Sequence, residues 1–468
     1  MEKIQHLSFL VKYVEILPPT TTCPDCGTVC KRNNKGHRLL AVPDLDRPTF
    51  LAVCVGVYQC PNSACGRNYF RLPLPFAEPR ARYMPQVKEL SVTSVSRDGM
   101  PFRRVPERLA ADVHVYPVTS TVWEWHRHTC EAIDLPTEYE PWVTARFSGV
   151  LCLDEVYDGA WCVILSTDPL NDVTVAYTIE TKEEGQQRPM LKQDWLERHL
   201  AALCRMGIQP QVVIRDGAVV YDEGLPSDWE QARCQFHLIQ DMAAEVLKAV
   251  NAYRKTLPDP PKRAKGRPRA EAPPPEPDVK AAIWHHRYLF VTRPETLQAR
   301  QGTCAHETHV CCHHPEEEIL QTLCADHPPL ATARTFMEEI WSLFDDPTTT
   351  FPEVKERYER LCATPAYRDD PHLARALACL SGDTLEKACR FLSYTNLPKT
   401  NNHVEGAARR FRKRQKSHYK LRQSATIDRA MKAELLRQKA RHQARGTPVV
   451  HLQTKTDAQH QTLPAQAA

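Results

Sequence analysis

Gly149-Val-Leu-Cys-Leu-Asp154 and Gln211-Val-Val-Ile-Arg-Asp216 are two apolar runs, each of which ends in an aspartate. A short apolar run predicts a buried strand, and an acid at its end leaves the core at the rim of the sheet. In open α/β sheets, ligands bind outside the carboxyl ends of the strands. The two runs therefore predict a sheet that presents two carboxylates to metal ions or substrate.

The sequence between the runs predicts how they come together. Hydrophobic periodicity indicates three strands, a helix and a fourth strand, at residues 150–154, 161–165, 173–179, 191–203 and 211–214. Asp158-Gly159 predicts the first turn, and Gly207 is placed to end the helix. A right-handed crossover through this helix places the first and fourth strands side by side. Asp154 and Asp216 are then neighbours.

A third carboxylate, Glu405, lies in Thr400-Asn-Asn-His-Val-Glu-Gly406. Asn401 or Asn402 is placed to cap a helix whose first turn carries Glu405. Two acids at a sheet rim and a distant glutamate can hold divalent ions, which indicates metal-dependent chemistry on nucleic acid. The alternative is that each acid is an ordinary helix cap or surface charge.

Two short cysteine motifs near the start of the chain predict a zinc ribbon. Cys23-Pro-Asp-Cys26 and Cys60-Pro-Asn-Ser-Ala-Cys65 are separated by strand-like sequence. Two such turns on neighbouring hairpins supply the four thiolates of a tetrahedral structural zinc ion. Cys30 and Cys54 lie close in sequence, so the ligand set could differ by one member, and buried thiols without metal are the alternative.

Composition and charge limit the class of protein. The chain has 468 residues with 42% hydrophobic residues, enough for several domains. The formal net charge is +4, but residues 409–445 hold 14 Lys or Arg against two acids, a balance of +12, which leaves 4 − 12 = −8 elsewhere. This basic segment predicts contact with a polyanion, and a solvated helix face is the alternative. The phosphate contacts expected there are Arg409, Arg412, Lys413, Arg414 and Lys416.

The 18 cysteines come without a secretion signal, which argues for a reducing compartment and against a disulfide scaffold. The chain contains no stretch of about 20 apolar residues of the kind that spans a bilayer. The expected location is the cytoplasm, with no membrane partner.

Residues 82–129 predict three short helices, which suggests a helix-turn-helix. Residues that could face bases or phosphates are Thr119, Ser120, Thr121, Arg127 and His128. Three-helix packing without a role in DNA binding is the alternative.

Two segments between the core motifs have unusual compositions. Lys265-Gly-Arg-Pro-Arg269, in a proline-rich linker, resembles the core of an AT-hook, in which Arg267 and Arg269 would enter a narrow minor groove. A Cys/His-rich stretch at residues 304–327 matches no trusted metal-ligand spacing, so a second zinc site and a His-rich loop both stay open.

Four motifs together resemble the DDE transposases of bacterial insertion sequences: Leu153-Asp154-Glu155, Arg215-Asp216-Gly217, Cys234-Gln-Phe-His237 and Asn401-Asn-His-Val-Glu405-Gly406. The resemblance implies an RNase H-like catalytic core, and Asp154, Asp216 and Glu405 as its catalytic triad. The 405 − 216 = 189 positions before the glutamate suit the helical insertion that such transposases often carry. Cys234, His237 and Asn402 are then supporting residues, and a homodimer on double-stranded DNA is expected.

Three carboxylates suit a two-metal reaction, in which two Mg²⁺ or Mn²⁺ ions about 4 Å apart activate the nucleophile and steady the leaving oxygen. Asp154 would bridge the ions, while Asp216 and Glu405 would each complete one. The expected activity is cleavage at element ends and strand transfer, in a cytoplasmic, nucleoid-associated bacterial protein. The alternatives are a nuclease or resolvase of the same fold that does not join DNA, and a catalytically silent, transposase-derived regulator.

The predicted fold class is multidomain α/β, with an RNase H-like core split by a helical insertion. The expected segments are a zinc ribbon, a helix-turn-helix region, the first part of the core, a Pro-rich basic linker, the helical insertion, the last core helix with a basic extension, and a disordered tail. Their bounds are 1–78, 79–135, 145–255, 256–280, 281–396, 397–445 and 446–468.

Overall fold

The computed structural model describes residues 9–187, 189–259, 278–301, 316–417 and 423–455. The chain is a mixed α/β protein with two mixed sheets and many helices. Within these ranges, none of the helices combines the length and apolarity needed to cross a membrane.

The first sheet is formed by the region that the sequence assigns to a zinc ribbon. Its strands β1 to β5 span Leu10–Ile16, Thr20–Thr22, Val29–Val42, Thr49–Gln59 and Tyr69–Arg71. The order is β1-β4-β3-β2, and β5 also pairs with β4. The long β3–β4 hairpin holds the sheet together, while the β2–β3 and β4–β5 connections carry the two cysteine motifs.

Three helices follow, close to their expected positions. They are α1 (Pro85–Ser96), α2 (Val105–Val113) and α3 (Thr119–Glu131), and two short helices lead into the next sheet, α4 (Leu135–Glu138) and α5 (Glu140–Thr144). Val87, Val105 and Val122, one from each of the first three helices, share a small core of their own.

The second sheet has the predicted strands. Strands β6 to β10 span Val150–Asp158, Trp161–Asp168, Val173–Thr181, Val212–Arg215 and Glu230–Arg233, in the order β10-β9-β6-β7-β8. β6 pairs in parallel with β9, as the crossover argument requires. β6, β7 and β8 form an antiparallel meander. The predicted adjacency of the first and fourth strands is confirmed.

Helices cover both faces of this sheet because side chains alternate along its strands. Three helices connect or follow its strands, namely α6 (Gln193–Arg205), α7 (Val219–Gly224) and α8 (Gln235–Thr256). Leu151 of β6 faces a core that contains Trp195 of α6. Cys152 of β6 faces the opposite core, which contains Met242 of α8.

The segment expected to be a helical insertion consists mostly of helices in its described part. Its α-helices α9 to α16 span Val279–His286, Pro294–Gln301, Glu316–Asp326, Pro328–Asp345, Phe351–Ala363, Pro365–Arg368, Pro371–Ala378 and Thr384–Ala388. Two 3₁₀ helices lie at Arg287–Val291 and Arg390–Ser393. Apolar side chains from these helices join the α8 face of the second sheet in one continuous core.

One expectation about the end of the chain is corrected. The segment expected to hold the last core helix and its basic extension contains α17 (Asn402–Ser417) and α18 (Ser424–Arg445). Ile427, Met431 and Leu435 are buried at helical spacing, and this apolar stripe packs α18 along β8. The predicted disorder from Gly446 is wrong as far as residue 455, since the Leu452 N–H donates to the Ser148 carbonyl at 2.9 Å. Amino-acid composition cannot predict such a backbone hydrogen bond between distant segments.

His199 of α6 predicts a pH dependence of stability. The ring is fully buried, its Nδ1 lies 2.8 Å from Thr178 Oγ1 and its Nε2 contacts Ser166 Oγ. Burial lowers its pKa from 6.5 to about 4. The unfolded chain therefore binds the extra proton first, so the contribution to the free energy of unfolding is complete above pH 6.5 and is lost as pH falls towards 4. The expected loss is about 3 kcal/mol.

Urea unfolding of the wild type and His199→Gln at several pH values measures this contribution. We expect the stability advantage of the wild type to shrink between pH 7 and pH 4.5. An advantage that does not change with pH would contradict the assignment of a neutral, buried ring.

Candidate functional site

Asp154 and Asp216 lie close together, where the pairing of the parallel strands β6 and β9 ends. Cys152 of β6 pairs with Ile214 of β9, Asp154 lies two residues further along β6, and Asp216 directly follows the last residue of β9. Residues two apart in a strand point to the same face, so Asp154 follows the face of Cys152, towards α8. The charge of Asp216 acts on Asp154 from the end of the neighbouring strand. Two carboxylates predicted from distant parts of the sequence are therefore placed side by side.

Glu405 reaches the same edge from the first turn of α17. Val404, Ala407 and Phe411 bury one side of this helix in the core shared with α8, and the helix crosses β6 and β7. Glu405 Oε1 lies 3.6 Å from His237 Nε2, and the charges of Glu405, Asp216 and His237 all act on Asp154. The three predicted acids and His237 thus form one electrostatic cluster, the carboxylate site.

The electrostatics of the carboxylate site favour a cation. The pKa of Asp154 is raised to about 6, first by burial and then by the like charges of Asp216 and Glu405. Glu405 Oε1 is buried and has no hydrogen-bond partner among the described residues. A divalent ion would offset both penalties, and hard carboxylate oxygens suit Mg²⁺ or Mn²⁺. The residues present therefore fit such an ion.

His237 supplies positive charge at this site. The nearby Cys234 sulfur, and then the carboxylates of Asp154 and Glu405, raise its pKa to about 9 against the effect of burial. The charged ring partly offsets the repulsion among the three acids. The resemblance implies only a supporting role for His237, and the structure places its ring beside Glu405.

Cys234 and Asn401 connect the two helices of the carboxylate site. Cys234 precedes α8, and its thiol donates to Asn401 Oδ1 at 3.0 Å and accepts from the Asn401 N–H at 3.4 Å. Both residues are fully buried. Asn401 is thus held immediately before α17, and the predicted supporting residue Asn402 is exposed at the first position of that helix.

Cys234→Ala is expected to lower the free energy of unfolding by about 3 kcal/mol, because it leaves the Asn401 groups buried without this partner. Cys389→Ala, which removes a buried thiol from the same core, is the matched control and should cost about 1 kcal/mol. Urea unfolding measures both values. Equal costs would show that the Cys234–Asn401 contact contributes no more than packing.

Glu155 lies on the opposite face of β6, as its position in the strand predicts. Its Oε2 accepts from the Tyr221 hydroxyl at 2.7 Å, and its Oε1 accepts from Tyr157 at 3.0 Å. Burial raises its pKa to about 7. Glu155 is therefore a partner of α7 on the other face of β6, although the charges of Asp216 and Asp154 also raise its pKa.

The predicted zinc ligands converge. In the part of the chain that the structure describes, one group of Cys, His, Asp or Glu has ligand atoms all within 4.8 Å of one another, and it consists of Cys23, Cys26, Cys60 and Cys65. Sγ atoms lie 3.8 Å apart in the Cys23–Cys65 pair and 3.6 Å apart in the Cys26–Cys60 pair. Thiolates 2.3 Å from a tetrahedral zinc ion are about 3.8 Å apart, so the group could hold zinc.

Cys30 and Cys54, the two alternative zinc ligands, are both buried outside the four-cysteine group.

The Cys/His-rich stretch at residues 304–327 is described only in part. Cys324 and His327 are described, and His327 Nδ1 lies 3.1 Å from the Tyr253 hydroxyl. The other members of that stretch lie outside the described residues.

The expected phosphate contacts are accessible where they are described. Arg409, Arg412 and Lys413 are exposed on α17, which begins at the carboxylate site. Arg414 and Lys416 lie near the end of α17, where side chains are outside the described part, and Arg267 and Arg269 lie outside the described residues altogether. The exposed cations extend away from Glu405 along one helix.

Arg127 differs from its expected role in base contact. Its guanidinium forms ion pairs with Glu124 at 2.7 Å and Glu131 at 2.9 Å. Glu131 also accepts from Arg429 of α18 at 2.7 Å. Arg127 therefore contributes to the contact between α3 and α18.

The buried Arg215 and the largely buried Arg233 lie beside Asp216, and the sequence patterns do not single out either as a site residue. Arg215 and Arg233 occupy paired positions on β9 and β10. Arg215 was noted only as part of a motif, and Arg233 was not noted at all. Its position at a strand end, directly before Cys234, was the available signal.

No family model and no curated protein matches the chain. Among solved structures, it is similar to one described as the Drosophila P element transposase strand transfer complex, with 10% sequence identity and a TM-score of 0.34. The match covers 75% of this chain and 91% of that chain. A likeness at this level identifies neither the fold nor the activity.

Proposed function

We propose that the chain is a DNA transposase of the DDE type, of the kind found in bacterial insertion sequences, which cleaves element ends and transfers them into target DNA. The observation that carries the proposal is the meeting of Asp154, Asp216 and Glu405 at one edge of the second sheet. The strand order, with three antiparallel strands followed by two parallel ones, supports an RNase H-like core.

The three acids would share one task. Asp154, Asp216 and Glu405 would together hold the two Mg²⁺ or Mn²⁺ ions. When bound, the ions supply an activated water or 3′-hydroxyl and steady the leaving oxygen. His237 holds positive charge beside Glu405, and the Cys234–Asn401 contact positions the helix that carries Glu405.

The basic residues suggest how DNA would approach. Arg409, Arg412 and Lys413 are exposed on the helix that starts with Glu405, so they would hold phosphates next to the metal ions. The four-cysteine group and the three-helix unit α1–α3 would form the part that binds element ends. A homodimer on double-stranded DNA is part of this proposal.

The test is incubation of the purified protein with Mg²⁺ and a duplex that carries the sequences flanking its own gene. We expect nicks at a defined end and joined products on a denaturing gel. Cleavage without joining would support the nuclease or resolvase instead. Binding without cleavage, in both Mg²⁺ and Mn²⁺, would support the silent regulator.

A further inference from the structure

Arg233 lies directly against the peptide that follows Asp216. A Cβ atom built on Gly217 would be 1.7 Å from Arg233 Nη2 and 1.8 Å from its Nη1. The guanidinium therefore occupies the space that any other residue at position 217 would fill. Gly217 does not have a positive φ angle, so this space explains the glycine better than its backbone conformation does.

The positive charge of the neighbouring Arg215 is well compensated. Arg215 is 2% exposed and forms an ion pair with Asp222. It also donates to Gln231 Oε1 at 2.8 Å and to the Asp216 carbonyl at 3.0 Å. Its position is determined by these contacts, and it serves to hold β9 and β10 together beside Asp216.

The positive charge of Arg233 has fewer compensating partners. Its ion pair is with Asp241 at 3.5 Å, and the Asp241 side chain is 61% exposed. The Arg233 side chain is only 13% exposed. The Nε atoms of both arginines are buried without a hydrogen-bond partner in the described part of the chain, so the difference lies in the terminal nitrogens, which have several partners in Arg215 and one distant, exposed carboxylate in Arg233. A largely buried guanidinium beside a second arginine favours a further anion. If a metal ion were bound at Asp216, that carboxylate would no longer compensate the charge of Arg233.

We infer that Arg233 is a catalytic residue that binds a phosphate oxygen of the DNA strand held at Asp216. This inference rests on the proposed function and extends it to a residue outside the acidic triad. A guanidinium presents a planar pair of donors that suits phosphate oxygens, and a buried donor stabilises the charge that these oxygens carry in the transition state. Gly217 keeps that position open.

A double-mutant cycle tests the inference through single-turnover cleavage rates. Arg233→Gln is expected to slow cleavage on the order of 10²-fold, as the loss of one buried donor does elsewhere. Arg233→Lys should recover part of the rate because it retains the charge. Gly217→Ala displaces the guanidinium without removing it, so it should slow cleavage similarly and add little to Arg233→Gln.

Arg198→Gln is the matched control, because it makes the same change at a half-exposed arginine of α6, which packs on the other face of the sheet. Its cleavage rate should stay close to that of the wild type. If Gly217→Ala acts by disturbing Asp216, its effect and that of Arg233→Gln will multiply, and the inference is overturned. A wild-type cleavage rate in Arg233→Gln would also overturn it.

DNA binding supplies a second readout that separates this inference from the proposed function. Loss of one phosphate contact should reduce the slope of log K against log salt by about one. A purely structural arginine would leave the slope unchanged. If the wild type fails to cleave, the proposed function fails, and the salt slope still decides whether Arg233 contacts a phosphate.

Discussion

Asp216→Asn is expected to slow DNA-end cleavage on the order of 10³-fold while DNA binding is retained. In the proposed function, the amide keeps the shape of the side chain but removes one anionic ligand of a metal ion, which would contribute several kcal/mol to the transition state. Asp154→Asn should have a similar effect, because Asp154 lies close enough to Asp216 for the charge of one to raise the pKa of the other. Denaturing gels give the cleavage rate, and filter binding or anisotropy gives the affinity.

Asp194→Asn is the matched control for the change of charge. Asp194 is an exposed acid on α6, which covers the opposite face of the sheet. This variant should cleave at the wild-type rate. Cleavage by Asp216→Asn at the wild-type rate, or cleavage by the wild type in excess EDTA, would rule out a metal-dependent triad.

Cys60→Ser is expected to remove zinc binding and to unfold the end of the first sheet that carries the two cysteine motifs. Cys23 and Cys60 lie in a small buried cluster with Tyr58 and Phe70, so this end of the sheet has little other core. Binding of a structural zinc ion is worth on the order of 10 kcal/mol, and it is coupled to folding. Metal analysis should give one zinc ion per wild-type chain, and limited proteolysis should become rapid in the first 78 residues of the variant.

Cys54→Ser is the control for this experiment. Cys54 is buried in β4 of the same sheet but lies outside the four-cysteine group. It should retain the zinc ion and the protease resistance of the wild type. Equal zinc content in the two variants, or a wild-type chain without zinc, would contradict the assignment.

Local patterns predicted much of the second sheet. Alternating and continuous apolar runs gave the strands of the meander, and the Asp158-Gly159 turn is where β6 ends and β7 follows. The parallel pairing of β6 and β9 followed from the handedness of a crossover. The end of the chain was predicted less well, because α18 and residues 447–455 owe their order to contacts with β8 and with loops of the core.

The roles of charged residues depended on their partners. The sequence predicted that Arg127, on a short helix, could contact DNA. In the structure its guanidinium forms ion pairs with Glu124 and Glu131. His237 lies beside Glu405, which is 168 positions further along the chain. No local pattern reports such pairs, because an ion pair depends on which distant segments the fold brings together.

The sequence by itself determined which residues are available for chemistry: three acids at the ends of predicted elements, two cysteine motifs, and a basic segment after Glu405. These follow from periodicity and spacing, which are properties of neighbouring residues. Only the tertiary structure decided that Cys23, Cys26, Cys60 and Cys65 form one group, and that Arg233 lies over Gly217. Distances between side chains are set by how the sheets and helices pack, and packing depends on contacts between residues that are far apart in the chain.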